Sequence, residues 1–320
     1  MSTATTDRPV LPATRRIAGT GLAILSGLAV AVQSRINGEL GVRLHDGFAA
    51  AVISFGVGLL VLLVLVPAAP TGRRGLAALR RALAAGSLRP WQCLGGVCGA
   101  FLVATQGLTI GTLGVAVFTV AVVAGQTGSG LAVDRAGVGP TGRQPLTAQR
   151  LAGAALTVVA VLLAVGDRLG EPDALVLAVL PLLAGVGIAW QQAVNGRVRA
   201  AADSALTATL VNFTVGTVAL LVAFAVDVAV RGWPAGSLPT EPWLYVGGPI
   251  GIVFIALAAA IVRFTGVLLL GLATIAGQIV GAVGLDMALP TAASHPGPTT
   301  LLGAALTLVA VLVAALAPQR

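Results

Sequence analysis

The sequence consists of long apolar runs separated by short connectors that carry most of its arginines. A helix needs roughly 20 mostly apolar residues to cross a bilayer, and ten runs approach that length. Charged residues make up 9% of the chain, against about 25% in a soluble domain. The sequence therefore predicts an all-α integral membrane protein. The ten predicted spans are residues 17–37, 47–67, 92–110, 114–133, 149–166, 174–195, 204–228, 243–262, 265–286 and 299–317.

The first 14 residues, MSTATTDRPVLPAT, are polar and contain two prolines, which predicts a disordered tail. Arg15 and Arg16 then precede an apolar run, a pattern also found in cleaved secretory and twin-arginine signals. The internal repeat described below argues against cleavage, because the first span has a counterpart deep in the chain.

All 19 basic residues are arginines and the net charge is +8. Because these arginines lie in connectors between apolar runs, they indicate membrane topology rather than a nucleic-acid partner. With the N-terminus in the cytoplasm, 15 of the 19 fall on the inner side. An even number of spans returns the C-terminus to the same side. The sequence predicts a multi-pass protein of the plasma or inner membrane with both termini cytoplasmic.

The residue types that carry catalysis or bind metals are sparse. Cys93 and Cys98 are five residues apart, which matches neither a zinc pair nor a CxxC redox motif. His45 and His295 lie in connectors with no other ligand types at metal spacing. Since neither a nucleophile constellation nor a phosphate-binding loop is recognisable, the sequence predicts no enzyme, no metal site and no cofactor.

The two halves of the chain repeat each other. Residues 31–58 align without gaps to residues 189–216, which places Gln33 on Gln191 and Asn37-Gly38 on Asn195-Gly196. Four blocks recurring in one order indicate duplication, with a first repeat at 15–168 and a second at 169–320. The other three block pairs are PWQCLGGVCG (90–99) with PWLYVGGPIG (242–251), AGQTGSGLAVD (124–134) with AGQIVGAVGLD (276–286), and LAGAALTVVAVL (151–162) with LLGAALTLVAVL (301–312).

Each repeat contains five predicted spans, an odd number, so the second repeat must enter the membrane from the opposite side. This predicts inverted topology with a pseudo-two-fold axis in the membrane plane, the architecture of alternating-access carriers. The charges following the two Asn-Gly pairs agree with it. The NGELGVR loop is expected outside and the NGRVRAAA loop inside, with Glu39 replaced by Arg197.

Two fused five-helix halves, each with Q-x-x-x-N-G near the end of its first span and A-G-Q in its fourth, resemble the YdcZ branch of the drug/metabolite transporter superfamily. That superfamily also includes EamA-type exporters. The resemblance covers nearly the whole chain and implies a small-molecule carrier, with an exporter favoured, but it does not imply a substrate. This chain departs from the small multidrug relatives of that superfamily, whose first span carries a membrane-embedded glutamate that couples protons to export. The first span here has no carboxylate before Glu39.

Gln33 and Asn37 are four residues apart, as are Gln191 and Asn195, so each pair shares one helix face. Three interpretations stay open. Asn-Gly can end the helix, with the glycine in the left-handed position. The amides can hydrogen-bond between helices. They can also line a transport path and bind the solute.

Further candidates lie elsewhere in the two repeats. Gln126 and Gln278, in the AGQ segments, are candidates for solute contact or interhelical bonding, and Asn212, aligned with Ser54, is a weaker one. Asp134 and Asp286 close the fourth spans and are the only repeated acids, which makes them candidates for proton coupling. Arg35 is expected to point away from the amide face and to act as an interface anchor.

The sequence thus predicts a ten-helix secondary-active transporter of two inverted five-helix repeats. It would move a small organic metabolite or drug-like solute, with its site near the midplane between the halves. The alternatives are a flippase for a lipid-linked substrate and a non-transporting membrane scaffold or sensor. A homodimer is compatible with this interpretation but not required, and the bilayer is the other expected partner.

Overall fold

In a computed structural model, residues 13–140, 142–143, 146–164, 172–290 and 296–315 are described. The predicted tail, apart from its last two residues, lies outside these ranges, as do the predicted repeat boundary at 168 and His295. Within the described ranges the chain forms α-helices and short 3₁₀ turns and no strand. The helices are α1 (Ala13–Leu44), α2 (Gly47–Ala68), α3 (Pro70–Ala84), α4 (Gly95–Ala136), α5 (Ala148–Ala164), α6 (Pro172–Ala202), α7 (Ala205–Arg231), α8 (Gly247–Ala288) and α9 (Pro298–Ala315).

Four helical segments among the described residues are long and apolar enough to cross a membrane: Gly47–Ala68, Pro90–Ala136, Val176–Ala202 and Ala205–Arg231. Shorter apolar helices are Leu151–Ala164, Ala273–Ala288 and Pro298–Val313. The structure therefore confirms an all-helical fold over the described residues, with four segments whose length and composition suit a membrane.

The predicted third and fourth spans belong to one long helix, α4, as the eighth and ninth belong to α8. Both helices contain 42 residues. The direction of α4 changes at Gly114, whose backbone has φ 77° and ψ 165°. Only glycine adopts this conformation without a steric penalty, so Gly114 separates α4 into two helical segments. A 3₁₀ turn at Pro90–Cys93 precedes α4, and another at Pro242–Tyr245 precedes α8.

Of the three interpretations of the Asn-Gly pairs, the one in which they end the first and sixth spans is wrong. α1 continues through Asn37-Gly38 to Leu44, and α6 continues through Asn195-Gly196 to Ala202. The stretches expected as NGELGVR and NGRVRAAA loops are helical. The left-handed residues that follow the helices are His45, with φ 53°, and Asp203, with φ 48°.

The next helix begins directly after each of these turns. The side chain of Asp46 accepts a hydrogen bond of 2.9 Å from the backbone N–H of Ala49 at the start of α2. That of Ser204 accepts one of 3.2 Å from the N–H of Thr207 at the start of α7. Both are N-caps, which satisfy backbone donors that a helix leaves open.

The helices pack in pairs: α1 with α8, α4 with α6, α2 with α7, and α5 with α9. In the first two pairs, glycines bring the backbones into contact. A Cβ on Gly277 would meet the carbonyl oxygen of Ile24, and a Cβ on Gly125 would meet that of Leu182. Between α2 and α7, the rings of Phe55 and Phe213 lie with centroids 4.8 Å apart. The glycines of the first two pairs thus permit close helix packing.

Candidate functional site

The two repeated glutamines lie against glycines of the helix with which their own helix pairs. A Cβ on Gly251 of α8 would lie 2.9 Å from Nε2 of Gln33 in α1. A Cβ on Gly99 of α4 would lie 2.8 Å from Nε2 of Gln191 in α6. At both positions the atom nearest to an added Cβ is the end of a glutamine side chain, so each amide lies at a helix–helix contact.

The repeated asparagines lie one helical turn further along the same two contacts. Oδ1 of Asn37 lies against Gly247, and a Cβ on Gly95 would lie 2.5 Å from Oδ1 of Asn195. Gly247 and Gly95 are the first residues of α8 and α4. Each Gln–Asn face therefore packs against the glycine-rich beginning of a long helix.

The first amide cluster consists of Ser34, Asn37 and Gln106. Nδ2 of Asn37 donates to Oε1 of Gln106 over 2.6 Å, and Nε2 of Gln106 donates to Oγ of Ser34 over 2.9 Å. All three side chains are buried. Oδ1 of Asn37 and the hydroxyl of the neighbouring Ser54 are buried without a hydrogen-bond partner among the described residues.

The second amide cluster consists of Gln191, Asn195 and Asn212. Gln191 and Asn195 each donate a hydrogen bond of 2.9 Å to Oδ1 of Asn212. Oε1 of Gln191 is buried and has no hydrogen-bond partner among the described residues. Both clusters therefore present acceptors without a partner among the described residues, in an apolar region where an unmade hydrogen bond is costly.

The sequence interpretation did not single out Gln106 and gave Asn212 as a weaker candidate, whereas the structure places both in the amide clusters. Asn212 takes the position that Ser54 has in the first repeat, and it accepts both bonds of the second cluster. Gln106 supplies the equivalent bond in the first cluster, although the residue aligned with it is Ala258. In the sequence, Gln106 stands out as an amide within an otherwise apolar run. The repeat does not point to it, because the aligned residue in the second repeat has no amide side chain.

The structure does not bring Gln126 and Gln278 into the amide clusters. Nε2 of Gln126 lies 3.3 Å from Oε1 of Gln192 at a partly exposed contact between α4 and α6. Gln278 is half-buried where α8 crosses Gly27 of α1. Within the described residues, Gln278 forms no hydrogen bond to either cluster.

Asp286 is buried, with 2% of its side chain exposed, and it connects three helices. Its Oδ1 lies 3.9 Å from a guanidinium nitrogen of Arg35 in α1. Its Oδ2 accepts a hydrogen bond of 2.7 Å from the backbone N–H of Ala116. Because Ala116 begins the segment of α4 that follows the break at Gly114, Asp286 caps a helix N-terminus and lies near its positive dipole end.

The expectation that Arg35 anchors the protein at the membrane interface stays a prediction, and the structure adds two contacts of this side chain. Its guanidinium faces Asp286 and also donates to the carbonyl of Leu289 over 3.3 Å. Asp134, aligned with Asp286, is half-buried near the end of α4. The residue aligned with Arg35 is Ala193, so the second repeat has no cation at the corresponding position.

A cavity of about 300 Å³ lies between α3, the turn from α6 to α7, and α8. None of the amide cluster residues lines it. Its lining consists of Thr71, Asp203, Ser204, Ala205, Leu206, Thr209 and Ile252.

Long apolar helices that enclose buried amides and an ion pair are typical of a polytopic membrane protein. The family model described as "Putative inner membrane exporter, YdcZ" matches residues 19–163 and 176–313, most of the chain. The chain therefore belongs to the YdcZ family of the drug/metabolite transporter superfamily. No match was found among curated proteins.

The fold also resembles that of a solved structure titled "Crystal structure of protein". The TM-score is 0.56 at 20% sequence identity, over 94% of this chain and 96% of that one. At this identity the likeness concerns the fold alone.

Proposed function

We propose that this protein is a secondary-active exporter of a small organic solute that works by alternating access. In this proposal its ten spans form two inverted five-helix repeats, residues 15–168 and 169–320, with both termini in the cytoplasm. The solute site lies near the midplane between the repeats and is lined by the two amide clusters and by Gln33, one helical turn before Asn37.

Reciprocal contacts between aligned residues carry the proposal. Gln33 aligns with Gln191 and Gly99 aligns with Gly251, and each glutamine packs on the glycine of the other repeat. The helix pairs show the same exchange. In the sequence, α1 aligns with α6 and α4 aligns with α8. In the fold, α1 packs against α8 and α4 packs against α6. Such mutual exchange is expected of two duplicated halves related by a pseudo-two-fold axis.

The open acceptors favour a solute that donates hydrogen bonds. Oδ1 of Asn37 and Oε1 of Gln191 are buried and unpaired within the described residues. A hydroxyl or amino group of a solute would satisfy them, since Asn and Gln oxygens accept two hydrogen bonds each. Formal charges are rare in the spans, which favours a neutral or weakly charged solute over a strongly charged one.

Transport by glutamine variants tests this proposal. The solute is first identified by comparing the metabolites of cells with and without the protein, and its uptake is then measured in proteoliposomes. Gln33→Leu and Gln191→Leu are each expected to reduce uptake by about 5- to 30-fold, the equivalent of about 1–2 kcal/mol for a buried hydrogen bond. Unchanged uptake in both variants would refute the amide-lined site.

Gln192→Leu is the matched control, because it makes the same substitution at an exposed neighbour on α6. We expect uptake close to that of the unmodified protein. Circular dichroism and gel filtration of each variant in detergent separate a loss of transport from a loss of folding.

We further propose that Asp286, rather than Asp134, couples proton movement to transport. Asp286 lies between Arg35 and the N-terminus of a segment of α4, so its contacts join three helices. A motion of these helices between the conformations of the carrier would change those contacts, and proton binding at Asp286 would then depend on the conformation of the carrier.

Asp286→Asn is expected to abolish uptake driven by a proton gradient while solute exchange without a gradient persists. Asp134→Asn should retain both activities, since Asp134 is half-buried rather than enclosed. Gradient-driven uptake by Asp286→Asn at the normal rate would contradict this assignment.

A further inference from the structure

The amphipathic helix α3, Pro70–Ala84, is attached firmly to the rest of the protein by its apolar face. Gly72, Gly75 and Leu79 are buried, and their spacing of three and four residues places them on one side of the helix. The carbonyl of Gly72 accepts a hydrogen bond from the hydroxyl of Thr207 at the start of α7. Leu79 packs in an apolar cluster that includes Val198 of α6.

The opposite face of α3 is basic and exposed. Arg73 donates to the carbonyl of Pro67 over 2.8 Å and Arg74 lies 3.3 Å from that of Pro70, which places both at the junction with α2. Arg80 and Arg81 are exposed near the end of α3, and Arg89 follows the helix. We call these five arginines the basic face.

Few acids are available to neutralise the basic face. The sequence contains no Asp or Glu between residues 47 and 133. Asp203, across the cavity from Thr71, is an acid that lies near the start of α3. Five arginines therefore outnumber the neighbouring carboxylate, and the surface carries a net positive charge.

The position of α3 along the chain puts the basic face at the depth of lipid headgroups. The last turns of α2 expose Leu63, Val64 and Leu65, by 52%, 70% and 44%, as expected of a helix that faces hydrocarbon. α3 begins five residues after Leu65. On its other side, Trp91 is 42% exposed, and tryptophan is enriched at the membrane–water interface.

The basic helix has no equivalent in the second repeat. The matching segment, residues 232–246, contains a 3₁₀ turn but no α-helix, carries no arginine, and includes Glu241. The five-helix arrangement of a repeat thus does not require α3. Within the described residues, the second repeat has no counterpart of the positive surface formed by α3.

We propose that α3 is a binding surface for anionic phospholipid headgroups in the leaflet on which it lies. The apolar face of the helix is used against α6 and α7, so the lipids are held by charge at its outer face rather than by insertion. Guanidinium groups form paired hydrogen bonds with phosphate oxygens. A surface of net positive charge at headgroup depth fits this ligand by charge and by position.

The expected strength follows from the number of arginines. Each basic residue near an anionic membrane surface contributes about fivefold in affinity, or about 1 kcal/mol. Removing two of them should therefore weaken binding by about 30-fold. The interaction should also weaken as salt rises, because the Debye length shortens from about 10 Å at 0.1 M to about 3 Å at 1 M.

The test measures lipid preference of the full-length protein in mixed detergent micelles. Phosphatidylglycerol and phosphatidylcholine of the same chain length are added in turn, and bound lipid is quantified by native mass spectrometry. The unmodified protein should prefer phosphatidylglycerol. Arg80→Gln/Arg81→Gln should lose about 30-fold of that preference, while Arg80→Lys/Arg81→Lys should retain most of it.

Arg43→Gln/Arg231→Gln is the matched control, since it also removes two exposed arginines. Arg43 pairs with Glu39 and Glu241, and Arg231 pairs with Asp227. Its lipid preference should be unchanged. Equal preference in the Arg80→Gln/Arg81→Gln variant and the unmodified protein, or an equal loss in the control, would overturn the proposal.

Salt provides a measurement that needs no variant. The preference of the unmodified protein for phosphatidylglycerol should fall between 0.1 M and 1 M sodium chloride, and a preference that does not change would also overturn the proposal. Lipid binding is measured without a transported solute, so its failure is distinguishable from a failure of the exporter proposal.

Discussion

At the scale of single residues, the two amide clusters use different side chains to accept the hydrogen bond of the repeated asparagine. Asn195 donates to Asn212 within the second repeat, whereas Asn37 donates to Gln106. The difference arises because Ser54, in the position of Asn212, has no carboxamide. Gln106 of α4 provides that carboxamide instead, and Ser54 keeps a buried hydroxyl without a partner among the described residues.

This contrast predicts unequal effects of two alanine substitutions. Asn212→Ala leaves the amides of Gln191 and Asn195 without their shared acceptor, and it should lower the free energy of unfolding by about 1–2 kcal/mol. Ser54→Ala removes a hydroxyl that makes no bond, so stability should stay within about 0.5 kcal/mol. Thermal unfolding in detergent measures both. A larger loss for Ser54→Ala would contradict the assignment of the clusters.

Some residues of the proposed site were accessible from the sequence because they recur in both repeats. Gln33, Asn37, Gln191 and Asn195 were found in this way. Gln106 was not, since its aligned residue is Ala258. The partner of Asp286 was also missed, because Arg35 lies 251 positions away and nothing local indicates that α1 and α8 are neighbours.

At the scale of helices, tertiary packing overrode a local end signal. Asn-Gly favours helix termination when the glycine is free to turn. In α1, Gly38 instead provides space, since a Cβ there would lie 2.5 Å from Cγ2 of Ile110. The residue permits close approach of α4 while its backbone remains helical. The same residue type thus serves packing in one context and a turn in another.

Two glycines of α4 predict opposite results for one substitution. A Cβ on Gly125 would meet the carbonyl of Leu182 in α6, whereas nothing lies within 4 Å of a Cβ on Gly128. Gly125→Ala should therefore destabilise the protein by about 1–3 kcal/mol through overpacking. Gly128→Ala, the control, should be neutral or stabilising by up to about 1 kcal/mol, since alanine favours the helix. Equal melting temperatures for both variants would contradict the close contact of α4 with α6.

The helix α3 was not predicted, although its pattern is visible in the sequence. Its arginines were interpreted as part of a connector, and its 15 residues are too few to cross a bilayer. Its buried positions are spaced by three and four residues, the period of an amphipathic helix. Only its packing on α6 and α7 shows which face remains exposed.

At the scale of the whole molecule, the proposed inverted topology predicts that two aligned helix ends lie on opposite sides of the membrane. Val42 and Ala200 are both exposed, and each is replaced by cysteine in a protein whose Cys93 and Cys98 are changed to serine. In intact cells, a membrane-impermeant maleimide should label Val42→Cys but not Ala200→Cys. In inverted vesicles the pattern should reverse. Labelling of both from one side would refute the inverted repeats.

The sequence by itself determined the class of the protein and its duplication. Low charge and ten apolar runs require a membrane environment, because such a chain has too few polar groups to cover a surface in water. Aligned blocks reveal the repeat without any knowledge of contacts, and the resemblance to the YdcZ family proved correct.

Only the tertiary structure decided which groups meet. It placed Gln106 on Asn37, Arg35 on Asp286, and each repeated glutamine on a glycine of the other repeat. It also showed that α1 and α6 continue through their Asn-Gly pairs. The physical reason is that burial, close backbone approach and hydrogen bonding depend on helices far apart in the chain, whereas hydropathy and repetition are properties of the chain alone.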